Sequence, residues 1–326
     1  MLTLLSSHRK FLRRVHIADV SYFLEEGTLL DLEARRRATS IYLVQKVIPM
    51  LPGILCEQLC SLNPDVDRLA YSCIFKMTAD GNLVDEKPYF GRTVIRSCAK
   101  LDYGTAQRMI ENLIPSTPSH GSNPDLFLDS LSEDVWEKRR QPKGHAAWQC
   151  SKDVCMMNAI AQNRRTTRHR NGALVIKNIK MSFRLDEDGN PSAFQDYPIR
   201  ESNNLVEEFM LMANFLVAQQ LLTNNGAAAL LRHHNPPDSD KLSYVKALAK
   251  AHNIELDTSN SKKMHESILS LTQEKNVALD GTLSQLLMET LNPAFYIVAG
   301  NYESFEWAHY ALDIPYYTHF TSPIRR

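Results

Sequence analysis

The run Tyr316-Tyr-Thr-His-Phe-Thr-Ser-Pro-Ile-Arg-Arg326 decides how the rest of the chain is read, because it crowds aromatic rings, hydroxyl groups and two guanidiniums into one short stretch. A guanidinium fork matches two phosphate oxygens and an aromatic face accepts a base. The run therefore suits a nucleotide gripped by its phosphate while its base is stacked, and by composition it is equally a disordered basic tail. Residues 315–326 predict an irregular loop. Before it, 242–252, 262–272 and 283–291 carry helical periodicity. The strongest helix signal is 203–222, where Asn204 can cap the start. Leu205, Val206, Phe209, Met212, Ala213, Leu216 and Val217 make a wide apolar face there, interrupted by Glu207 and Glu208.

Farther toward the N-terminus the pattern turns to strands. Val-His-Ile-Ala-Asp-Val-Ser-Tyr-Phe (15–23) reads as a strand entering a turn at Glu25-Glu26-Gly27, and 31–37 reads as a helix. The β-branched run 41–51 contains Pro49 and is followed by Pro52, which keeps it from being a central strand. Segments 71–77 and 93–98 alternate like strands, with a turn at Ala79-Asp80-Gly81-Asn82. A helix at 103–113 leads into a Pro- and Ser-rich loop at 114–124. One or two helices follow over 126–170, ending in Arg164, Arg165, Arg168 and Arg170. A partial strand pair covers 173–185, closed by Asp186-Glu-Asp-Gly-Asn190. The fold class is mixed α and β (α+β), strand-rich in its N-terminal half and helical in its C-terminal half.

The 326 residues contain 37 Lys plus Arg and 37 Asp plus Glu, for a formal net charge of zero, so any surface for nucleic acid is a local patch. Lys46 and the Glu207–Glu208 pair interrupt the most apolar runs, which predicts no membrane span. Six cysteines without paired spacing predict a reducing compartment rather than a disulfide framework. Residues 1–14 lack Asp and Glu and have the basic, Ser-containing character of a leader. His145, Cys150, Cys155 and His169 fit none of the usual zinc spacings.

The Thr-Ser-Pro-Ile-Arg-Arg ending resembles the signature of the ribonuclease II (RNB) family, processive enzymes that degrade RNA from its 3′ end. Residues 15–23, 48–52, 59–62, 200–211 and 230–234 resemble further family blocks in family order. Tyr42-Leu-Val-Gln-Lys-Val and Phe90-Gly-Arg-Thr-Val-Ile-Arg-Ser-Cys are most similar to the eukaryotic exosome-independent branch. The resemblance implies an RNB nuclease domain over 15–326 without the cold-shock and S1 modules of family members. It also implies hydrolytic 3′-to-5′ exoribonuclease activity with Mg2+ on single-stranded, 3′-uridine-tailed RNA. The expected setting is cytoplasmic, in a monomer with no membrane or DNA partner.

Carried over by matching blocks, Tyr103 lies beside the terminal nucleotide and Tyr42 is a second stacking tyrosine. Glu207 or Glu208 contacts the terminal sugar, where acceptance from a 2′-OH helps tell RNA from DNA. Arg325 holds the scissile phosphate and Arg326 is the basic position after it, while His319 and Thr321 are scaffold and Asp19 is structural. The resemblance also exposes a departure. The family's Asp-x-(Asp/Leu)-Asp-Asp-Ala cluster, which holds magnesium ahead of the His-Ile-Ala-Asp strand, has no counterpart in residues 1–14, and no Asp-Asp pair occurs later. The expectation is a domain truncated at both ends, with little or no catalysis. The alternatives are a catalytically dead RNA-binding module and a helical interaction protein unrelated to RNA. Arg164–Arg170 is equally a phosphate patch or a solvated helix end.

Overall fold

In the computed structural model, residues 2–7, 10–84, 87–111, 144–174, 181–186, 190–196, 199–271 and 277–322 are described. The chain divides into two units. One comprises Met1–Gln162, Lys180–Met210 and Phe320–Arg326; the other comprises Asn163–Ile179 and Leu211–His319.

The first unit is organised by an antiparallel sheet in the order β1 (Leu2–Ser7), β2 (Lys10–Ala18), β5 (Asp67–Thr78), β6 (Tyr89–Arg96). Residues 2–7, within the stretch read as a leader, pair with 10–15 as the outer strand. In β5, Ala70 and Ser72 are buried on one face and Cys73, Phe75 and Met77 on the other, so the strand is covered on both sides. Val15 opposes Cys73 and Ala18 opposes Ala70.

The strand expected over 15–23 ends at Ala18. The next residues form a 3-10 turn, Val20–Tyr22, because the Asp19 carboxylate accepts from the Ser21 hydroxyl at 2.7 Å and from Arg92 Nε at 2.8 Å. That bend drives Val20 into a core with Ala34, Met50, Leu51, Leu55 and Cys60. Helix α1 (Leu29–Arg37) starts where Thr28 accepts the Asp31 N–H. The run with Pro49 becomes a minimal hairpin, β3 (Ile41–Tyr42) and β4 (Val47–Ile48), as its proline predicts.

Helices α2 (Tyr103–Ile110), α3 (Ala147–Asn171) and α4 (Glu201–Asn225) follow. The expected loop 114–124 and the first part of 126–170 lie outside the described residues. The hairpin β7 (Met181–Leu185)/β8 (Pro191–Asp196) closes where the Asn190 N–H donates to the Asp186 carboxylate at 2.7 Å. Asn204 does not cap α4. The helix begins earlier, and the Arg200 N–H donates to the Asn203 side chain at 3.0 Å, because the bonds of Ser202 described below draw in the preceding turn. By length and composition Glu201–Ala228 could cross a membrane, but half of its apolar window is buried inside the protein, as in a core helix.

In the second unit α3 ends at Gly172, whose φ of +136° suits glycine and whose added Cβ would sit 3.0 Å from the Lys262 backbone nitrogen. Helices α5 (Ser239–Ala251), α6 (Ser261–Leu271) and α7 (Val277–Glu289) bury Val245, Ala249, Met264, Leu283 and Leu287 together. The pair β9 (Leu230–His233)/β10 (Phe295–Val298) packs Leu231 and Ile297 against Ala218, Ala229 and Ala299. Among the described residues the sheet pairings are antiparallel, with the four-stranded sheet early and the helices concentrated late, as the α+β reading expects.

Two buried histidines tie this packing to pH. Burial, then the neighbouring positive charge of the N-terminus and Arg14, pushes His16 down to about 4; burial, then His234, pushes His309 down to about 3. Below the ordinary histidine pKa of 6.5 the unfolded chain takes up protons that these folded sites refuse, so stability falls as pH falls. The slope approaches about 1.4 kcal/mol per pH unit for each histidine between pH 6.5 and about 4. Urea unfolding at pH 7.5, 6 and 5 should show midpoints declining below pH 6.5, with a shallower decline in His309→Gln; a flat profile would contradict this account.

Candidate nucleic-acid interface

In the first unit, three helices are bolted together around the start of α4. The Ser202 hydroxyl donates to the Tyr103 carbonyl at 2.8 Å, and its N–H donates to Gln107 Oε1 at 3.1 Å. Asn158 and Gln162 of α3 both donate to Glu201 Oε2, at 3.2 and 3.1 Å. Tyr103 opens α2 behind Asp102, whose carboxylate accepts the Thr105 N–H at 2.8 Å and the Thr105 hydroxyl at 3.2 Å. A Cβ at Gly104 would approach that carboxylate to 3.0 Å, so the small residue lets the cap close. The backbone of Tyr103 is thereby fixed while its side chain stays exposed, with a relative accessibility of 41 %.

The bolt also orients the two glutamates farther along α4. Glu207 is exposed, whereas Glu208 is 1 % exposed among Leu205, Phe209 and other buried residues of the helix. The helical period separates them by about 100°. Tyr42 sits apart, on the β3–β4 hairpin, at 56 % exposure with Ile41, Leu43, Val44 and Val47 exposed beside it. The Leu43 N–H donates to the Lys46 carbonyl at 2.9 Å across the tip, and Ser40 Oγ accepts the Met50 N–H at the base.

The C-terminal run is not a disordered tail as far as it is described. In the second unit Tyr316 stacks on Phe215, with ring centres 5.0 Å apart, and Asn214 donates to the buried Tyr317 hydroxyl at 2.7 Å. His319 Nδ1 lies 2.6 Å from the Tyr296 hydroxyl, in keeping with a scaffold role. In the first unit Phe320 packs edge-on against Tyr71. The rings that composition offers to bases are thus engaged in packing. Arg325 and Arg326 lie outside the described residues.

The described residues do not fit a catalytic magnesium site. Among them no group of three or more His, Cys, Asp or Glu could hold a metal ion. Asp19 is committed to Arg92 and Ser21 with its side chain only 2 % exposed, and Asp67 pairs with Arg96 at 3.0 Å. Sequence reasoning did not identify Ser202, Gln107 and Glu201 as the bolts of the site. The partners of Ser202 lie far away in sequence and leave no local signal.

Comparison with known proteins places this geometry in a family. The family profile for the RNB domain matches residues 5–326, and the chain belongs to that family. It is similar to DIS3-like exonuclease 2 of Xenopus tropicalis, 42 % identical over 316 residues, covering 96 % of this chain and 36 % of the relative. It is also 38 % identical over 320 residues to an Arabidopsis thaliana protein named inactive exonuclease DIS3L2, covering 96 % of this chain and 28 % of that one. The fold matches Mycoplasma genitalium RNase R, solved with ribose-methylated single-stranded RNA, at a TM-score of 0.77 and 24 % identity, over 100 % of this chain and 45 % of that one. The chain spans about a third of the length of the curated relatives it matches.

Asp19 is a structural residue in this geometry. Asp19→Ala should lower stability by about 1–3 kcal/mol, since it removes two hydrogen bonds to a buried charge. Denaturant unfolding measures this, and an unchanged midpoint would mean that the Ser21 and Arg92 bonds do not hold the bend.

Proposed function

We propose that this chain forms the RNA-binding portion of a hydrolytic 3′-to-5′ exoribonuclease that acts on single-stranded RNA in RNA decay. The observation that carries this reading is the RNB match over 5–326, joined to an exposed Tyr103 on a fixed backbone beside α4. Tyr103 and Tyr42 stack terminal bases, and Arg325 and Arg326 grip the phosphate. Of the two glutamates, Glu207 is the one a ribose 2′-OH reaches from solvent without rearrangement. Its carboxylate favours RNA over DNA by accepting that hydroxyl. The likeness to the exosome-independent branch supports 3′-uridine-tailed substrates, a cytoplasmic setting and action as a monomer.

Metal-assisted hydrolysis needs carboxylates that hold the ion and acidify the attacking water, and the described residues supply no such group. The 326-residue chain is therefore expected to bind RNA 3′ ends with little or no cleavage. A second reading, a catalytically dead RNA-binding module, is favoured by the same lack and by the similarity to a relative named inactive.

The test incubates the purified chain with magnesium and 5′-labelled oligouridine, with and without EDTA, and measures binding by gel shift. Intact but shifted RNA is expected, with weaker binding to a 3′-phosphorylated oligomer, to oligoadenosine and to the deoxy analogue. Tyr103→Ala should weaken binding by about 1–3 kcal/mol, the usual worth of one stacked base, and Glu207→Gln should narrow the preference over DNA. EDTA-sensitive shortening from the 3′ end would refute the inactivity of this chain, and absence of any shift would refute the binding role.

A further inference from the structure

In the second unit, β9 and β10 set Arg232 directly opposite Tyr296, and Leu230 opposite Val298. Cross-strand partners share a face, and the alternation that buries Leu231 and Ile297 turns these four residues to the other side of the ribbon. There the Arg232 guanidinium lies over the Tyr296 ring, 5.0 Å from its centre. The pair is held from behind. The Arg232 N–H donates to the Tyr317 carbonyl at 2.6 Å, and the Tyr296 hydroxyl is bonded to His319 Nδ1, whose ring stands edge-on with its centre 5.8 Å away.

What sets Arg232 apart is the lack of an anion beside it. In the first unit Arg35 pairs with Glu26 and Asp31, Arg36 and Arg37 with Glu33, Arg92 with Asp19 and Arg96 with Asp67. Among the described residues the Arg232 side chain forms no ion pair and no hydrogen bond; what it touches is the tyrosine face. Stacking occupies the flat face of a guanidinium and leaves its N–H donors, which lie in its plane, available to two oxygens of a phosphate. Arg232 is half-buried and Tyr296 is 46 % exposed, so a ligand reaches them from solvent. His234 and His309, stacked on each other with ring centres 4.8 Å apart, are both held below the ordinary histidine range chiefly by burial, so neither adds charge at neutral pH.

We propose that Arg232, held flat on Tyr296, grips a backbone phosphate of single-stranded RNA, a contact made by the second unit in addition to those of Tyr103 and Tyr42 in the first. Arg232 is the binding residue, and Tyr296 is a positioning residue that acts through the guanidinium. The unneutralised charge matches a polyanion, and the exposed Leu230 and Val298 beside the pair give apolar surface against which sugars and bases lie. The inference rests on the RNA-binding reading above and deepens it. A phosphate contact carries no base preference, so this one adds affinity for any sequence.

Gel shift of the full chain on 5′-labelled oligouridine, oligoadenosine and the deoxy analogue, across a series of KCl concentrations, measures affinity and its salt dependence. Arg232→Met should weaken binding about tenfold at low salt, by the same factor for all three oligomers. It should also flatten the plot of log affinity against log salt by about 0.7, the counterion release of one phosphate in a single strand. Tyr296→Phe keeps the ring and should bind as the wild type does. Tyr296→Leu should weaken binding, and adding it to Arg232→Met should cost nothing further, because the tyrosine acts through the guanidinium. Arg232→Lys keeps the charge without the flat stack and should retain the slope while binding more weakly; it decides the question if Arg232→Met does not fold, as judged by denaturant unfolding. Wild-type affinity and slope in Arg232→Met, wild-type affinity in Arg232→Lys, or loss of polyglutamate binding with RNA binding intact would overturn the proposal. A wild-type chain that shifts no RNA would overturn the RNA-binding reading and the proposal together.

Discussion

The buried carboxylate of Asp19, held by Arg92 and Ser21, is the constraint on which the first unit depends. It stops β2 at Ala18 and turns the chain so that Val20 becomes wholly buried among Met50, Leu51 and Leu55. A buried charge deprived of its partners is costly, so the bend is stable only while β6 presents Arg92 opposite Tyr71. The hairpin bearing Tyr42 grows out of the segment between α1 and this core, and its placement is inherited from the same turn.

A different kind of bond fixes Tyr103. The Ser202 hydroxyl grips the backbone carbonyl of Tyr103, not its phenol, and Asp102 caps the helix through Thr105. The aromatic ring is left to face solvent at no cost to the hydrogen-bonding of the joint. Separating the group that anchors from the group that is displayed is what a stacking site needs, because a ring used for packing is no longer available to a base. Tyr317 shows the opposite arrangement: its hydroxyl is bonded to Asn214 and its ring is buried.

Much of this was legible in the sequence because it rests on local signals. The apolar face of α4 and the proline that limits β3 and β4 are short-range patterns with physical causes. What was not legible depends on distant partners. The strand expected through 23 breaks at 18 because Arg92 arrives from β6, and Asn204 fails as a cap because Ser202 is claimed by α2. Composition also weighed the C-terminal rings evenly between nucleotide binding and a loose tail, since Phe215, Tyr296 and Asn214, which engage them, lie far away in sequence.

The same reasoning explains why two adjacent glutamates of one motif differ in kind. Position on a helix, not residue type, decides which carboxylate meets solvent: the 100° step puts Glu208 with Leu205 and Phe209, and leaves Glu207 outside. The step only acquires meaning once Ser202 and Glu201 have set the rotation of α4 against α2 and α3. The Ser202 hydroxyl and N–H and the Glu201 carboxylate at the start of the helix therefore determine both the display of Tyr103 and the exposure of Glu207, and Tyr103 and Glu207 form a unit through the backbone rather than through their side chains.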